Sequence, residues 1–253
     1  MLQLYNRIHT ANVILKGDLA FANDWEFLTL DPANQLESLV ATGPNAGTLD
    51  AFSTGVKLRT RYEDLLTAAL ERNQTTFWAS DSGRVIDTAK YFAAGFFGIE
   101  WRGTSALEVI PEASDLGADT LTPGDTCYKY AEDVDSRGHD YGRKRLLKFR
   151  STYLPAIATR LQEQNPNITF TRDEIYSMQE MCGFETIVKG SSDWCNVFTR
   201  DEWESFEYAR DVIHYYRAGP GNPYSVTMGW PWLNATTNIL RQGPEAGPLY
   251  FSL

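Results

Sequence analysis

Histidine is scarce in this chain: 253 positions hold only His9, His139 and His214, and cysteine is as rare, with Cys127, Cys182 and Cys195. No apolar run approaches the roughly 20 residues that span a bilayer, so no membrane partner is expected. Residues 1–20 (MLQLYNRIHTANVILKGDLA) show neither the short apolar block nor the small-residue cleavage site of a secretion signal, and the chain as written is expected to carry none. Positive charge is also in deficit. The 23 Lys and Arg face 33 Asp and Glu, a formal net charge of -10, and the isoelectric point lies near 4.8. Nucleic acid demands a concentrated basic face that this sequence does not offer, so no nucleic-acid partner is expected. An acidic protein repels phosphate at neutral pH and less so as its carboxylates protonate, which fits a low working pH.

What the chain does have is apolar material. At 43% hydrophobic and 13% aromatic residues it can build one large domain or two small ones with real cores. Three Asn-x-Ser/Thr sequons, at Asn73, Asn167 and Asn234, are glycosylation candidates. Cys182 and Cys195 enclose a short loop that a disulfide could close for about 3 kcal/mol in the chain-entropy picture. Counts alone leave three free buried thiols equally open, and Cys127 has no mate.

Leu49, Phe52, Val56, Tyr62, Leu66 and Leu70 recur at helical spacing, predicting a long amphipathic helix with an interruption at Gly55. A strand at 75–80 (TTFWAS), a helix through Phe97 and a strand at Ala106–Ile110 follow; together they read as a βαβ unit with a parallel strand pair. From Leu121 the pattern changes, and AEDVDSRGHDYGRKR reads as a long exposed loop. Helices then dominate. Leu154, Ile157 and Leu161 mark one; Thr171 with Glu174, and Thr199 with Glu202, are capping-box patterns opening two more. Gly219-Pro220-Gly221-Asn222-Pro223 ends the last of these, a short helix is expected over Asn234–Leu240, and PLYFSL reads as a strand.

One arginine stands where the first strand empties into its helix, in Asp81-Ser82-Gly83-Arg84-Val85. The first turn of a helix offers unpaired N–H groups and the positive end of its dipole, so a guanidinium there can help clamp a phosphate. The competing reading is a surface Arg84 paired with Asp81 or Asp87.

Several blocks taken together resemble the histidine acid phosphatases, in the fungal branch of phytases and broad-specificity acid phosphatases. They are KGDLAFANDW (16–25), SDSGRVIDTAKYFAAGFFG (80–98), MCGFET (181–186), WCNVFTRDEWESFEYARD (194–211) and YYRAGPGNP (215–223), in the family's order across nearly the whole chain. The first block, with GADTLTP at 117–123, is more similar to the broad acid phosphatases. The resemblance implies a parallel α/β sheet flanked by helices with an inserted all-α domain. The expected division is a partial α/β domain over 1–120 and 242–253, and a helical insert over 121–241.

By resemblance, a histidine in an R-H-G-x-R-x-P motif attacks phosphorus, arginines hold the phosphoryl oxygens, and an aspartic acid in an H-D pair protonates the leaving alcohol. No catalytic residue is assigned, because these 253 residues contain no such nucleophile motif. His139-Asp140 follows a polar loop where the family's pair follows an apolar strand, and reads as a loop dipeptide; QGPEAGPLYFSL (242–253) is what resembles the approach to that pair. Arg84 matches the family's additional phosphate-binding arginine. Cys182 and Cys195 match a family disulfide, and Cys127 resembles a cysteine that pairs with the family's C-terminal region. His214 reads as a structural imidazole, Trp203, Phe206 and Tyr216 as core in preference to a sugar platform, and Glu185 receives no role.

The resemblance thus implies a phosphate-monoester hydrolase, with phytate among its possible substrates, acting extracellularly on a phosphorylated small molecule without cofactor or metal. The chain alone is expected to be inactive, as the middle portion of such an enzyme or a truncated reading of a longer gene. The alternative is a noncatalytic protein that binds phosphorylated ligands or a partner on the same scaffold.

Overall fold

The computed structural model describes residues 1–11, 13–28, 47–71, 75–113, 115, 121–243 and 249–252. Its helices are α1 (Leu2–Thr10), α2 (Gly47–Arg61), α3 (Glu63–Glu71), α4 (Gly83–Phe97), α5 (Pro123–Thr126), α6 (Tyr128–Glu132), α7 (Tyr141–Gln164), α8 (Arg172–Lys189), α9 (Arg200–Arg217) and α10 (Ser225–Gln242). The strands are β1 (Thr75–Ser80), β2 (Ala106–Ile110) and β3 (Leu249–Ser252). Packing gathers Met1–Leu39 with Asp140–Gly221 into a helical unit, and Val40–His139 with Asn222–Leu253 into a sheet unit. These bounds differ from the expected cuts at 120 and 241. Leu4 and Ile8 of α1, and Leu19 of the 3-10 turn Gly17–Asn23, are buried in one cluster with Leu154, Met178 and Trp194, which draws the N-terminal segment into the helical unit.

The sheet is parallel, in the order β2-β1-β3, with β1 central. Thr76 faces Ala106 and Ser80 faces Ile110 on one side, while Thr75 faces Leu249 and Trp78 faces Ser252 on the other. Phe77 and Ala79 are buried with Ala89, Ala93 and Trp101, so α4 covers the sheet as the βαβ reading requires. The break between α2 and α3 falls at Tyr62, not at the predicted Gly55. Gly55 instead lies against α4: a Cβ there would collide with the Phe92 carbonyl oxygen, and one at Gly95 with that of Phe52. Two helices meet main chain to main chain, which only glycine on both sides permits.

In the helical unit, α7 starts thirteen residues before Leu154 and takes YGRKR out of the predicted loop. Its buried residues are Gly142, Leu146, Arg150, Leu154, Ile157 and Leu161, spaced by three and four. Two of them hide the stripe. Gly142 is seated against the Ile213 carbonyl and Arg217, and Arg150, 8% exposed, pairs with Asp173 at 2.6 Å over the face of Tyr176. Between Tyr141 and Arg160 lie six Lys or Arg and no acid, a local basic stretch in an acidic chain. Arg160 is engaged by Asp18 and Glu202, and Arg145 lies over Tyr216. Both capping boxes form as read, Thr171 with Glu174 and Thr199 with Glu202, and α8 ends on Gly190 at φ +87°. The expected short helix at Asn234–Leu240 is the second half of α10, which continues through Pro231.

Candidate functional site

The candidate site is built at the carboxyl end of the central strand, where ligands of open α/β sheets collect. Ser80 is buried, and the Asp81 N–H donates to the Ile110 carbonyl at 3.0 Å, carrying the β1–β2 ladder one residue past the strand. Ser82 then turns extended (φ -64°, ψ 129°), and its carbonyl accepts from Val85 and Ile86 N–H at 2.9 and 3.0 Å. Its hydroxyl does not cap the helix, and no acidic side chain occupies the first turn. Among the described residues, a Cβ added at Gly83 meets nothing within 4 Å. Arg84 is exposed there, its carbonyl accepting from the Thr88 hydroxyl at 2.8 Å, while Asp87 pairs with Lys90 at 3.2 Å. Such a terminus holds an anion by N–H groups and dipole, and a guanidinium beside it adds a planar fork.

The three imidazoles stand apart in role. His9 places Nε2 2.9 Å from the Trp25 carbonyl and packs on Tyr5. His139 donates its backbone N–H to the Tyr130 carbonyl and lies edge-on to that ring. His214 is exposed in the last turn of α9. Among the described residues, no three His, Cys, Asp or Glu side chains gather to hold a metal.

Cys182 and Cys195 are joined, fastening α8 to the 3-10 turn Asp193–Asn196, and Cys127 is a free thiol between α5 and α6. Trp203 and Phe206 pack against the helical core; Tyr216 lies against Tyr141 and under Arg145. Asn167 and Asn234 are exposed, and Asn73 lies outside the described residues.

Glu185 is the residue whose part the sequence concealed. Only 3% exposed, it accepts from the Trp25 indole at 2.6 Å, the Ser192 hydroxyl at 2.6 Å and Lys189 Nζ at 3.0 Å, pinning the N-terminal segment to α8. Its Lys189 partner at i+4 was the one legible signal. A second unforeseen group surrounds Arg150. Tyr153 donates to Gln179 at 3.0 Å, and burial pushes its phenol well above the ordinary range. Glu180 pairs with Arg210 at 3.3 Å, yet burial outweighs Arg210 and Arg150 and raises its carboxyl.

The sequence model of the histidine phosphatase superfamily (branch 2) matches residues 3–248. The chain belongs to this superfamily. Phytase PHO112 of Candida albicans is 32% identical over 98% of the chain and 53% of its own length. Acid phosphatase PHO1 of Komagataella pastoris is likewise 32% identical, over 98% and 52%. The crystal structure of the phytase from D. castellii superposes with a TM-score of 0.83 at 29% identity, covering 99% of this chain and 54% of that one. This histidine phosphatase chain therefore spans about half the length of the relatives it matches.

Proposed function

We propose that the chain is part of an acid phosphatase that hydrolyses phosphate monoesters of small molecules, phytate among them, through a phosphohistidine, and that Arg84 holds the phosphoryl group. The observation that carries this reading is Arg84 in the first turn of α4, beyond the carboxyl end of the central strand. A phosphoryl group in transfer spreads negative charge over its oxygens, and a fixed guanidinium with backbone N–H groups neutralises it without reorganisation. The 253 residues hold no R-H-G-x-R-x-P nucleophile. Arg84 by itself positions phosphate and cleaves nothing, so this chain alone releases no p-nitrophenol from p-nitrophenyl phosphate at any acid pH. Relatives named phytase and acid phosphatase support the substrate class. The disulfide supports an oxidising, extracellular setting.

The test is Arg84→Ala in the longer protein that contains this chain. A drop in kcat/KM of about 100-fold, the scale of losing one transition-state donor, is expected with an unchanged melting temperature. Undiminished turnover would remove Arg84 from the site. Turnover by the 253 residues alone would overturn the assignment of the chemistry to residues outside them.

A further inference from the structure

The 3-10 turn Asp193–Asn196 is too short to keep a shape alone, because such turns have poor hydrogen-bond geometry and lean on their surroundings. Three anchors hold it. The Cys182–Cys195 bond ties it to α8, the Trp203 indole donates to the Cys195 carbonyl at 3.2 Å, and the Ser192 hydroxyl donates to Glu185 at 2.6 Å while accepting from the Trp194 N–H at 3.3 Å.

What the turn carries serves a distant stretch of sequence. Trp194 meets Phe21 and Trp25 edge-on, each at 4.9 Å between ring centroids. The Trp25 indole donates to the same Glu185 carboxylate that Ser192 holds, and Lys189 joins that carboxylate to the Glu26 carbonyl at 3.1 Å. Trp25, Glu185 and Trp194 are all buried within one unit, and a longer chain around them can only deepen that burial. We propose that the Cys182–Cys195 bond is a redox latch for the N-terminal segment: its closure assembles the Ser192–Trp194 seat, and residues 19–27 dock only once that seat exists.

A cross-link over thirteen residues of sequence removes chain entropy that the open loop would otherwise regain. With the bond open, Trp194 leaves its fixed place and Glu185 loses the Ser192 hydroxyl, so a buried carboxylate is left short of a donor and the docked state is raised in free energy. Opening the bond takes two electrons and two protons from a dithiol, which leaves as a disulfide, and returns Cys182 and Cys195 as thiols. Closure runs the same exchange backwards against a disulfide-bearing oxidant. An oxidising compartment thereby decides when the N-terminal segment joins the helical core. The inference goes beyond the function proposed above and does not depend on Arg84.

The longer protein that contains this chain is to be followed by hydrogen exchange, intact and with Cys182→Ser and Cys195→Ser together. Exchange at residues 19–27 should rise about 100-fold, the scale of the lost cross-link, while residues 154–161 of α7 and 175–181 of α8 stay protected. Glu185→Gln alone should loosen the same residues, and added to the cysteine pair it should change little more. Should the cysteine variant fail to be secreted, the folded wild-type protein is reduced briefly with dithiothreitol, and exchange is read only in molecules whose Cys182 and Cys195 take up iodoacetamide. Loosening spread evenly over residues 19–27, α7 and α8 would make the bond a general staple and overturn the proposal. Unchanged exchange at 19–27, or a Glu185→Gln effect that adds in full to the loss of the bond, overturns it as well.

Discussion

In the helical unit, twenty-two buried apolar residues join into one cluster running from Leu4 to Ala209, whereas in the sheet unit the described ones form groups of five, around Phe77, and three, around Leu66. The helical unit adds the Cys182–Cys195 bond, two capping boxes and charge pairs that tie segments distant in sequence: Arg7 with Glu174, Arg160 with Asp18 and Glu202. Among its described residues the sheet unit shows its parallel ladder, the backbone contact at Gly55 and Gly95, and bonds from the Tyr224 hydroxyl to Asp133 and from the Asn222 amide to the Arg137 carbonyl. Among the described residues, the larger core and the covalent cross-link thus lie in one unit and the candidate anion site in the other.

The comparison breaks most readily in the core. Trp194 is fully buried between Phe21 and Trp25, so Trp194→Ala should cost about 3–5 kcal/mol in urea unfolding. Leu66→Ala, in a group of three whose neighbours can close on the gap, should cost about 2 kcal/mol. Equal costs would mean that cluster size does not set the difference. Gly95→Ala comes next: a methyl driven into the Phe52 carbonyl should lower sheet-unit stability by about 1–3 kcal/mol, read as an earlier melting transition. No change would show that α2 is free to slide. Thr171→Ala and Thr199→Ala should each remove about 1 kcal/mol from the helical unit, and together should add.

The smallest effect has a sign that depends on pH. Burial raises the Glu180 carboxyl in the folded chain, so its contribution is fully present below the ordinary carboxylate value and is lost as pH rises through the folded one. Burial would also raise Glu174, but bonds from the Thr171 backbone, Arg7 and the Thr171 hydroxyl outweigh it and hold the carboxyl low. Its contribution is present above the ordinary value and is lost as pH falls through the folded one. Melting temperatures across the acid range should therefore show Glu180→Gln removing a gain on acidification and Glu174→Gln removing a loss. Two unchanged profiles would discard both assignments.

What could be read from the sequence follows from how local each signal is. The capping boxes are four-residue patterns, and β1 and β2 announce themselves by composition between turn residues; the structure contains all four. The first half of α7 was illegible because Arg150 counts as a surface charge until Asp173 and Tyr176, distant in sequence, are seen to enclose it. Gly142 likewise gives no hint of the α9 backbone above it. Half of α10 was hidden by Pro231, whose missing N–H argues against a helix, yet α10 continues through it. At the candidate site the strand-to-helix junction of Arg84 was visible. Glu185 was not, because two of its three donors, Trp25 and Ser192, lie outside its own helix.

The crossing at Gly95 has a mechanical consequence. Eleven residues of α4 separate it from Arg84, a lever of about 16 Å at 1.5 Å per residue. A tilt of about 5° about that fulcrum would sweep the guanidinium through more than 1 Å, a displacement on the scale that costs about 100-fold in a positioned reaction. Seating the fulcrum on two main chains opposes that swing, so on the role proposed for Arg84 the aim of its guanidinium rests on a pair of glycines more than two helical turns away.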